Sequence, residues 1–204
     1  MINVEKTKKR PYHHGDLRDA LLRAGEQALE TGGAQNLSLR ELGRELGVSH
    51  TAFRRYFVDR QALLDGLALE GFERLRTTLT KAVADRNQDF EARLIKLARA
   101  YVRFSTKYPA LTALMFTAKH NPAAPPELIE ASERTFAIGP LVVEEGQVAG
   151  EVVQGDSLLL SLAASSSVEG LIAMSRNGKF KGIPLDRLLG EVIQRIVLGL
   201  RPRN

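Results

Sequence analysis

The side chains best suited to chemistry lie close together between residues 50 and 60, and they are types that contact nucleic acids. The polar and basic ones fall on one face of a short predicted helix: His50, Thr51, Arg54 and Arg55. Phe53 and Phe57, four residues apart, put two aromatic rings on the opposite, buried face. Guanidinium groups donate to guanine edges and phosphates, while threonine and histidine add contacts to bases or backbone. We interpret the polar face as a surface for DNA.

Two further groups of side chains extend this basic surface. Tyr56 and Arg60 lie where a phosphate could be clamped, with Arg60 in the positive first turn of the next helix. Lys8, Lys9 and Arg10 stand together before the first helical pattern, as in a flexible basic arm. The formal charge of +5 fits a polyanionic partner, although charge alone fits a mildly basic soluble protein equally well.

The elements that must position these groups are two short helices joined by a tight turn. Ser38-Leu39-Arg40-Glu41 is a capping box that begins the first of them. Gly43 lies where two helices cross closely, so a side chain there would obstruct them. Gly47 supplies the positive φ of the turn, Val48 fills the core and Ser49 caps the next helix. This layout predicts a helix-turn-helix whose second helix enters the major groove; the alternative is a plain helical hairpin with a charged, solvated side.

Helical periodicity continues through nearly the whole chain, and alternating strand patterns are almost absent. We predict an all-α fold of about nine helices, in which the DNA-binding domain is a three-helix bundle. That domain and the N-terminal arm occupy residues 1–59, and a helical effector-binding and dimerisation domain occupies residues 60–204. Thr31-Gly32-Gly33 ends the first helix. Gly139-Pro140 is expected to kink the seventh helix.

The last two predicted helices have the composition of a dimer interface. The stretch from Asp156 to Met174 is rich in small side chains, and the final helix carries a long aliphatic stripe. Small side chains let helices approach closely, so two such helices from each subunit would make a four-helix interface. The alternative is that both stripes face the chain's own core. A homodimer is favoured because a single helix-turn-helix reads too few bases.

Aromatic and apolar side chains in the second domain are candidates for an effector pocket. They are Phe90, Tyr101, Phe104, Met115, Phe116 and Phe136. Each could equally be ordinary core. Glu169 joins them because it lies within an apolar helix, where a buried carboxylate needs a partner. That partner would be a cationic ligand, an arginine such as Arg99 or Arg103, or solvent.

Other classes of site find little support in the sequence. There is no cysteine, so disulfides, thiolate metal sites and cysteine nucleophiles are excluded. His13-His14 has no third metal ligand near it, and Ser165-Ser166-Ser167 lacks the glycine-flanked elbow of a serine hydrolase. Phosphate-binding and dinucleotide motifs are absent. We therefore expect no metal, no cofactor and no enzyme activity. With no signal peptide and no apolar run of membrane-spanning length in view, we expect a cytoplasmic protein without a membrane partner.

The run LSLRELGRELGVSHTAFRRYFVDRQALL, residues 37–64, resembles the DNA-binding region of the TetR family of bacterial regulators. Upstream, YHHGDLRDALLRAG resembles the first helix of one branch, and AYVRFSTKYPALTALMF resembles the ligand domain of that branch, the WHG type. The signature of this type is missing, since the chain has no tryptophan and reads Ser167-Val168-Glu169-Gly170. The resemblance implies a homodimer in which Ser38 and Arg40 contact the DNA backbone and Ala52 faces the bases or their phosphates.

Together these observations predict a sequence-specific transcriptional regulator. We expect a homodimer, joined through its last two helices, that represses from an inverted-repeat site on double-stranded DNA until a small-molecule effector releases it. Two other classes stay open. One is an architectural nucleic-acid-binding protein without sequence preference, and the other is an enzyme that uses the helical pocket.

Overall fold

The computed structural model describes residues 14–180 and 182–202, and these ranges contain ten α-helices, one short 3-10 helix and no strand. The α-helices are α1 His14–Gly32, α2 Leu39–Glu45, α3 His50–Arg54, α4 Arg60–Ala82, α5 Phe90–Lys107, α6 Pro109–Ala118, α7 Pro126–Phe136, α8 Ile138–Val148, α9 Ser157–Arg176 and α10 Leu185–Leu200. The 3-10 helix is Ala34–Asn36, between α1 and α2. The predicted all-α fold with an N-terminal helix-turn-helix is confirmed.

The described residues up to Leu67 form one compact unit, built from α1, α2, α3 and the start of α4. The end of α1 is as predicted: the helix stops at Gly32, and Gly33 takes a positive φ of 76°. Gly25 lets α1 lie close to α4, since a Cβ there would meet the side chains of Leu63 and Leu67 at 3.5 and 3.4 Å. Those two leucines are fully buried.

The residues from Ala68 onward form the second compact unit. In it α9 packs against α8 and α10, and α5 packs against α8, α9 and α10. Two glycines allow close approaches here. An added Cβ at Gly71 would lie 2.7 Å from the sulfur of Met115, and one at Gly146 would lie 2.7 Å from Val152. This unit carries every side chain proposed for the effector pocket.

Three features differ from the sequence expectations. The seventh predicted helix is two helices, α7 and α8. Pro140 does not kink a continuous helix; it is the third residue of α8, a position where the N–H that proline lacks would have no intrahelical partner. The second difference is in α3, which ends at Arg54 rather than near residue 57. Finally, the compact units divide after Leu67 instead of after residue 59, because the first turns of α4 supply core leucines to the DNA-binding unit.

One described helix, α9, is long and apolar enough to cross a membrane by length and composition, with a mean hydropathy of 1.5 over 18 residues. The prediction that no stretch approaches this length is therefore wrong on that criterion. The α9 helix meets the criterion because its five leucines, with Val168 and Ile172, outweigh serines of nearly neutral hydropathy. A helix in the core of a soluble protein meets the same criterion, so this one helix is weak evidence for a membrane span.

Candidate DNA-binding and effector sites

The turn between α2 and α3 has the geometry that a helix-turn-helix requires. The Ser38 hydroxyl accepts a hydrogen bond from the backbone N–H of Glu41 at 3.4 Å, and the Ser49 hydroxyl accepts one from Ala52 at 3.2 Å. Both helices therefore begin at side-chain caps. Gly47 takes a positive φ of 65°. Gly43 is buried, and a Cβ there would lie 3.2 Å from the carbonyl oxygen of Val48, so any side chain at this position would push the turn apart.

The α3 helix separates its side chains into a buried aromatic face and an exposed polar face. Phe53 and Phe57 are almost completely buried, with ring centroids 6.1 Å apart. The side chains predicted for base and phosphate contact are exposed: His50, Thr51, Arg54 and Arg55. Ala52 lies between the faces and is half-buried. The aromatic core thus fixes which side of α3 is offered to a partner.

Two arginines of the predicted DNA surface already donate hydrogen bonds within the protein. Arg60 donates from Nε to the carbonyl of Leu37 at 3.0 Å and from a terminal nitrogen to the carbonyl of Ala34. It therefore ties the start of α4 to the segment before α2, and it can clamp a phosphate only through its remaining N–H groups. Arg54 donates from Nε to the carbonyl of Val58 at 3.2 Å, which leaves its terminal nitrogens for a partner.

The other predicted DNA contacts have varied settings. Arg40 is exposed on α2, and Tyr56 is half-buried just after α3. Lys8, Lys9 and Arg10 lie outside the described residues. The contacts of all these side chains with DNA stay predictions.

The seven residues proposed for the effector pocket do not form one group, and Phe90 is buried at the start of α5. Phe104 and Met115 are core residues: Met115 is fully buried, and the Phe104 ring packs 5.3 Å from the ring of Tyr108. The remaining four lie where α5, α6, α7 and α9 present polar and aromatic groups to one another: Tyr101, Phe116, Phe136 and Glu169. Burial of Phe104 and Met115 leaves these four as the better candidates for ligand contact.

Glu169 does not have the buried setting expected from its apolar helix. Its side chain is exposed, and it accepts a hydrogen bond from the hydroxyl of Tyr101. Burial of Tyr101, reinforced by this bond to Glu169, raises the pKa of the phenol well above its usual range, so it stays protonated and donates. Neither arginine proposed from the sequence is its hydrogen-bond partner; Arg99, for one, pairs with Asp186 at 2.9 Å.

A lysine missed in the sequence analysis joins this cluster. The ammonium of Lys119 lies 4.5 Å from the ring centroid of Phe136 and 5.0 Å from that of Phe116. The two rings are 5.7 Å apart, and Phe72 meets Phe136 edge-on at 6.0 Å. Burial lowers the pKa of Lys119, while the nearby charge of Glu169 opposes that shift. Its spacing of three residues from Phe116 is the signal that could have found it, because such residues share a helix face.

The exposed surface of α9 carries small and apolar side chains. Positions spaced by four and three residues along it are exposed or half-buried, and all but the first are small: Leu159, Ala163, Ser166, Gly170 and Ala173. Large apolar side chains stand in solvent around the start of α9 and the end of α10: Leu158, Leu159, Leu162 and Leu198. Exposed apolar surface is a feature of binding interfaces, and the interface on α9 and α10 stays a prediction.

A cavity of about 410 Å³ lies at the start of α5, apart from the predicted pocket residues other than Phe90, which lines it. Its polar groups are already paired: Glu151 accepts from the backbone N–H of Phe90, and Arg201 pairs with Glu91 at 3.4 Å. Among the described residues there is no cluster of three or more potential metal ligands.

Comparison with known proteins agrees with this architecture. Residues 21–67 match the bacterial regulatory proteins of the tetR family, and residues 94–199 match the tetracyclin repressor-like C-terminal domain. A solved structure of a protein of unknown function from Rhodococcus sp. RHA1 is 39% identical and has a TM-score of 0.89, covering 95% of this chain and 100% of that one. The TetR family regulator PfmR from Thermus thermophilus has a TM-score of 0.68 at 18% identity, covering 89% of this chain and 99% of its own.

Curated relatives match a smaller part of the chain. The nucleoid occlusion factor SlmA from Vibrio campbellii is 29% identical over 99 residues, which is 48% of this chain and 50% of that protein. The chain thus spans about half the length of the curated relatives it matches. The second family match alone covers more than half of this chain and falls in its C-terminal part, while the first includes the helix-turn-helix. The chain belongs to the TetR family of DNA-binding transcriptional regulators.

Proposed function

We propose that this regulator is a cytoplasmic repressor that binds an inverted-repeat operator as a homodimer and is released by a small-molecule effector. The observation that carries the operator part is the exposed polar face of α3, which offers His50, Thr51, Arg54 and Arg55 beside a buried aromatic face. Side chains of these types read base edges and grip phosphates. They specify no reaction, because no nucleophile, base and orienting group stand together on this surface.

The homodimer part is supported by α9 and α10. Exposed leucines at the start of α9 and near the end of α10 would leave solvent if a second copy packed there. The small side chains along α9 would let the partner helix approach closely. A two-fold dimer also presents two copies of α3, which matches the two half-sites of an inverted repeat.

Release by an effector requires a difference in affinity between two conformations of the dimer. The effector must bind better to the conformation in which the two copies of α3 no longer match successive major grooves. A ligand with equal affinity for both conformations would leave DNA binding unchanged, however tightly it bound.

The first test is selection of bound sites from a random pool of duplex DNA at near-physiological salt. A recovered inverted repeat supports a sequence-specific dimer. If the Arg55→Ala variant no longer enriches that repeat, α3 is the element that recognises the base sequence. DNA that is retained without any enriched sequence would instead support the architectural alternative, whose affinity comes from phosphate contacts alone.

A second candidate comes from the curated relatives, which are named nucleoid occlusion factors. Mapping the bound sites along the chromosome separates it from repression. A repressor should occupy a few sites that overlap promoters, whereas a factor acting on the nucleoid should occupy many sites dispersed through it. The enzyme alternative predicts turnover of a substrate, and none of the site geometry favours it.

A further inference from the structure

The cluster formed by Phe116, Phe136, Lys119, Glu169 and Tyr101, here called the α6–α9 cluster, has the components of a site for an organic cation. Two phenylalanine rings form its floor, and the Phe136 ring is 37% exposed although it also packs against Phe72. Ring faces attract cations, because the π electrons give the face a partial negative charge. The carboxylate of Glu169 lies near enough to act electrostatically on Lys119, and it accepts the hydrogen bond from the Tyr101 hydroxyl.

A cation already occupies this floor, and it belongs to the protein. The ammonium of Lys119 lies over both rings, 4.5 Å from one centroid and 5.0 Å from the other, within the charge field of Glu169. Its side chain is half-buried, and this burial lowers its pKa. Turning out toward solvent would restore hydration to the ammonium. Rehydration of the ammonium would then offset part of the ring contacts that Lys119 gives up.

An anionic ligand fits the same groups poorly. Glu169 partly neutralises the positive charge of Lys119. An incoming carboxylate would be repelled by Glu169 and would have to displace it. Arg176, the next positive group in this region, donates a hydrogen bond to the backbone carbonyl of Ser105 at 3.0 Å. The negative face of the two rings would also repel an anion.

We propose that the α6–α9 cluster binds an organic cation, such as a quaternary or protonated amine with an apolar body, and that this cation displaces Lys119 and acts as the effector. The effector role rests on the repressor function proposed above, whereas the binding site does not. The ligand's cationic head would take the place of the lysine ammonium over Phe116 and Phe136. Its charge would then pair with Glu169.

The test uses calorimetric titration of the full-length protein, without DNA, with three probes of similar size. These are the phenyltrimethylammonium cation, its neutral counterpart tert-butylbenzene, and the benzoate anion. Lys119→Met removes the competing charge and keeps most of the side-chain volume. Glu169→Gln removes the carboxylate charge. Lys107→Met is the matched control, because Lys107 also lies over an aromatic ring, 5.0 Å from the centroid of Tyr108, outside the cluster.

The two substitutions should change the affinity for phenyltrimethylammonium in opposite directions. Lys119→Met should bind phenyltrimethylammonium about threefold to tenfold more tightly, and Glu169→Gln should bind it about threefold to tenfold more weakly. Lys107→Met should match the unchanged protein, and the neutral probe should respond to neither change in charge. If Lys119→Met precipitates, Lys119→Gln makes the same comparison.

Three results would overturn the site. They are no binding of the cation to Lys119→Met at millimolar concentration, equal affinities in all variants, and benzoate binding that Lys119→Met abolishes. The effector role is read separately, from release of the selected DNA duplex measured by fluorescence anisotropy. Binding of the cation with the expected variant pattern but without release would refute the effector role and leave the site standing. Failure to bind any specific duplex would refute the repressor function, while the calorimetry would still decide the site.

Discussion

Replacing Gly170 by leucine separates the two roles that α9 can have, an interface helix or an exposed helix of a monomer. Within one chain, a Cβ added at Gly170 meets no atom within 4 Å. Leucine also favours a helix over glycine by about 0.7 kcal/mol. A monomer should therefore become slightly more stable, and its melting temperature should rise by about 2 °C.

In a dimer joined through α9, the same substitution has the opposite effect. Gly170 lies on the row of small side chains that would face the partner helix, and two-fold symmetry introduces the leucine twice. Overfilling a packed contact costs about 1–3 kcal/mol. Taking that figure as the whole cost to the dimer, and since each 1.4 kcal/mol is about a tenfold change in an equilibrium constant, the dimer dissociation constant should rise by about fivefold to about 150-fold.

Sedimentation equilibrium over a range of concentrations measures that constant, and thermal unfolding measures the stability of the chain. Gly139→Ala on α8 is the control, because its Cβ would meet Ser161 at an ordinary 3.7 Å and should leave the dimer constant unchanged. Gly170→Ala should fall between the wild type and Gly170→Leu. A Gly170→Leu protein with a higher melting temperature and an unaltered dimer constant would show that this row of α9 does not form the interface.

Three other substitutions test the DNA-binding unit and the second compact unit. Arg55→Ala should cost about 1–3 kcal/mol of affinity for the selected duplex and much less for an unrelated one, as measured by fluorescence anisotropy; equal losses on both would mean a phosphate contact. Gly43→Val should lower the free energy of unfolding by about 1–3 kcal/mol, because its Cβ would crowd the Val48 carbonyl at 3.2 Å; unchanged thermal unfolding would contradict this. Hydrogen bonds, first from Arg134, lower the pKa of Glu73 from 4.5, so its stabilising effect is full above that pH and is lost as the pH falls through the folded value. Glu73→Gln should therefore lose less stability on acidification than the wild type. Parallel plots of the free energy of unfolding against pH for the two proteins would contradict this role of Glu73.

The DNA-binding unit could be predicted from sequence because its determinants are local. Ser38 and Ser49 cap helices through amides three residues away, and Gly47 needs only its own φ. Phe53 and Phe57 are one helical turn apart, so their shared burial follows from periodicity. The exception is Arg60. Its bonds to carbonyls 23 and 26 residues away depend on how the chain folds back, and periodicity carries no information about that.

The second compact unit, from Ala68 onward, was harder to predict for the same reason. Tyr101 and Glu169 meet across 68 residues of sequence, so their contact could not be read from local spacing. Burial of Glu169 was inferred instead from the apolar composition of α9, yet only 22% of that helix's apolar window is buried. In a monomer such a helix is unusual, because several of its large apolar side chains face solvent. In a dimer it is expected, and the composition of α9 then reflects a partner that one chain cannot show. Hydrophobic patterning does not distinguish burial inside one chain from burial against a second copy, so the expected burial of Glu169 and the predicted interface on α9 come from the same physical signal.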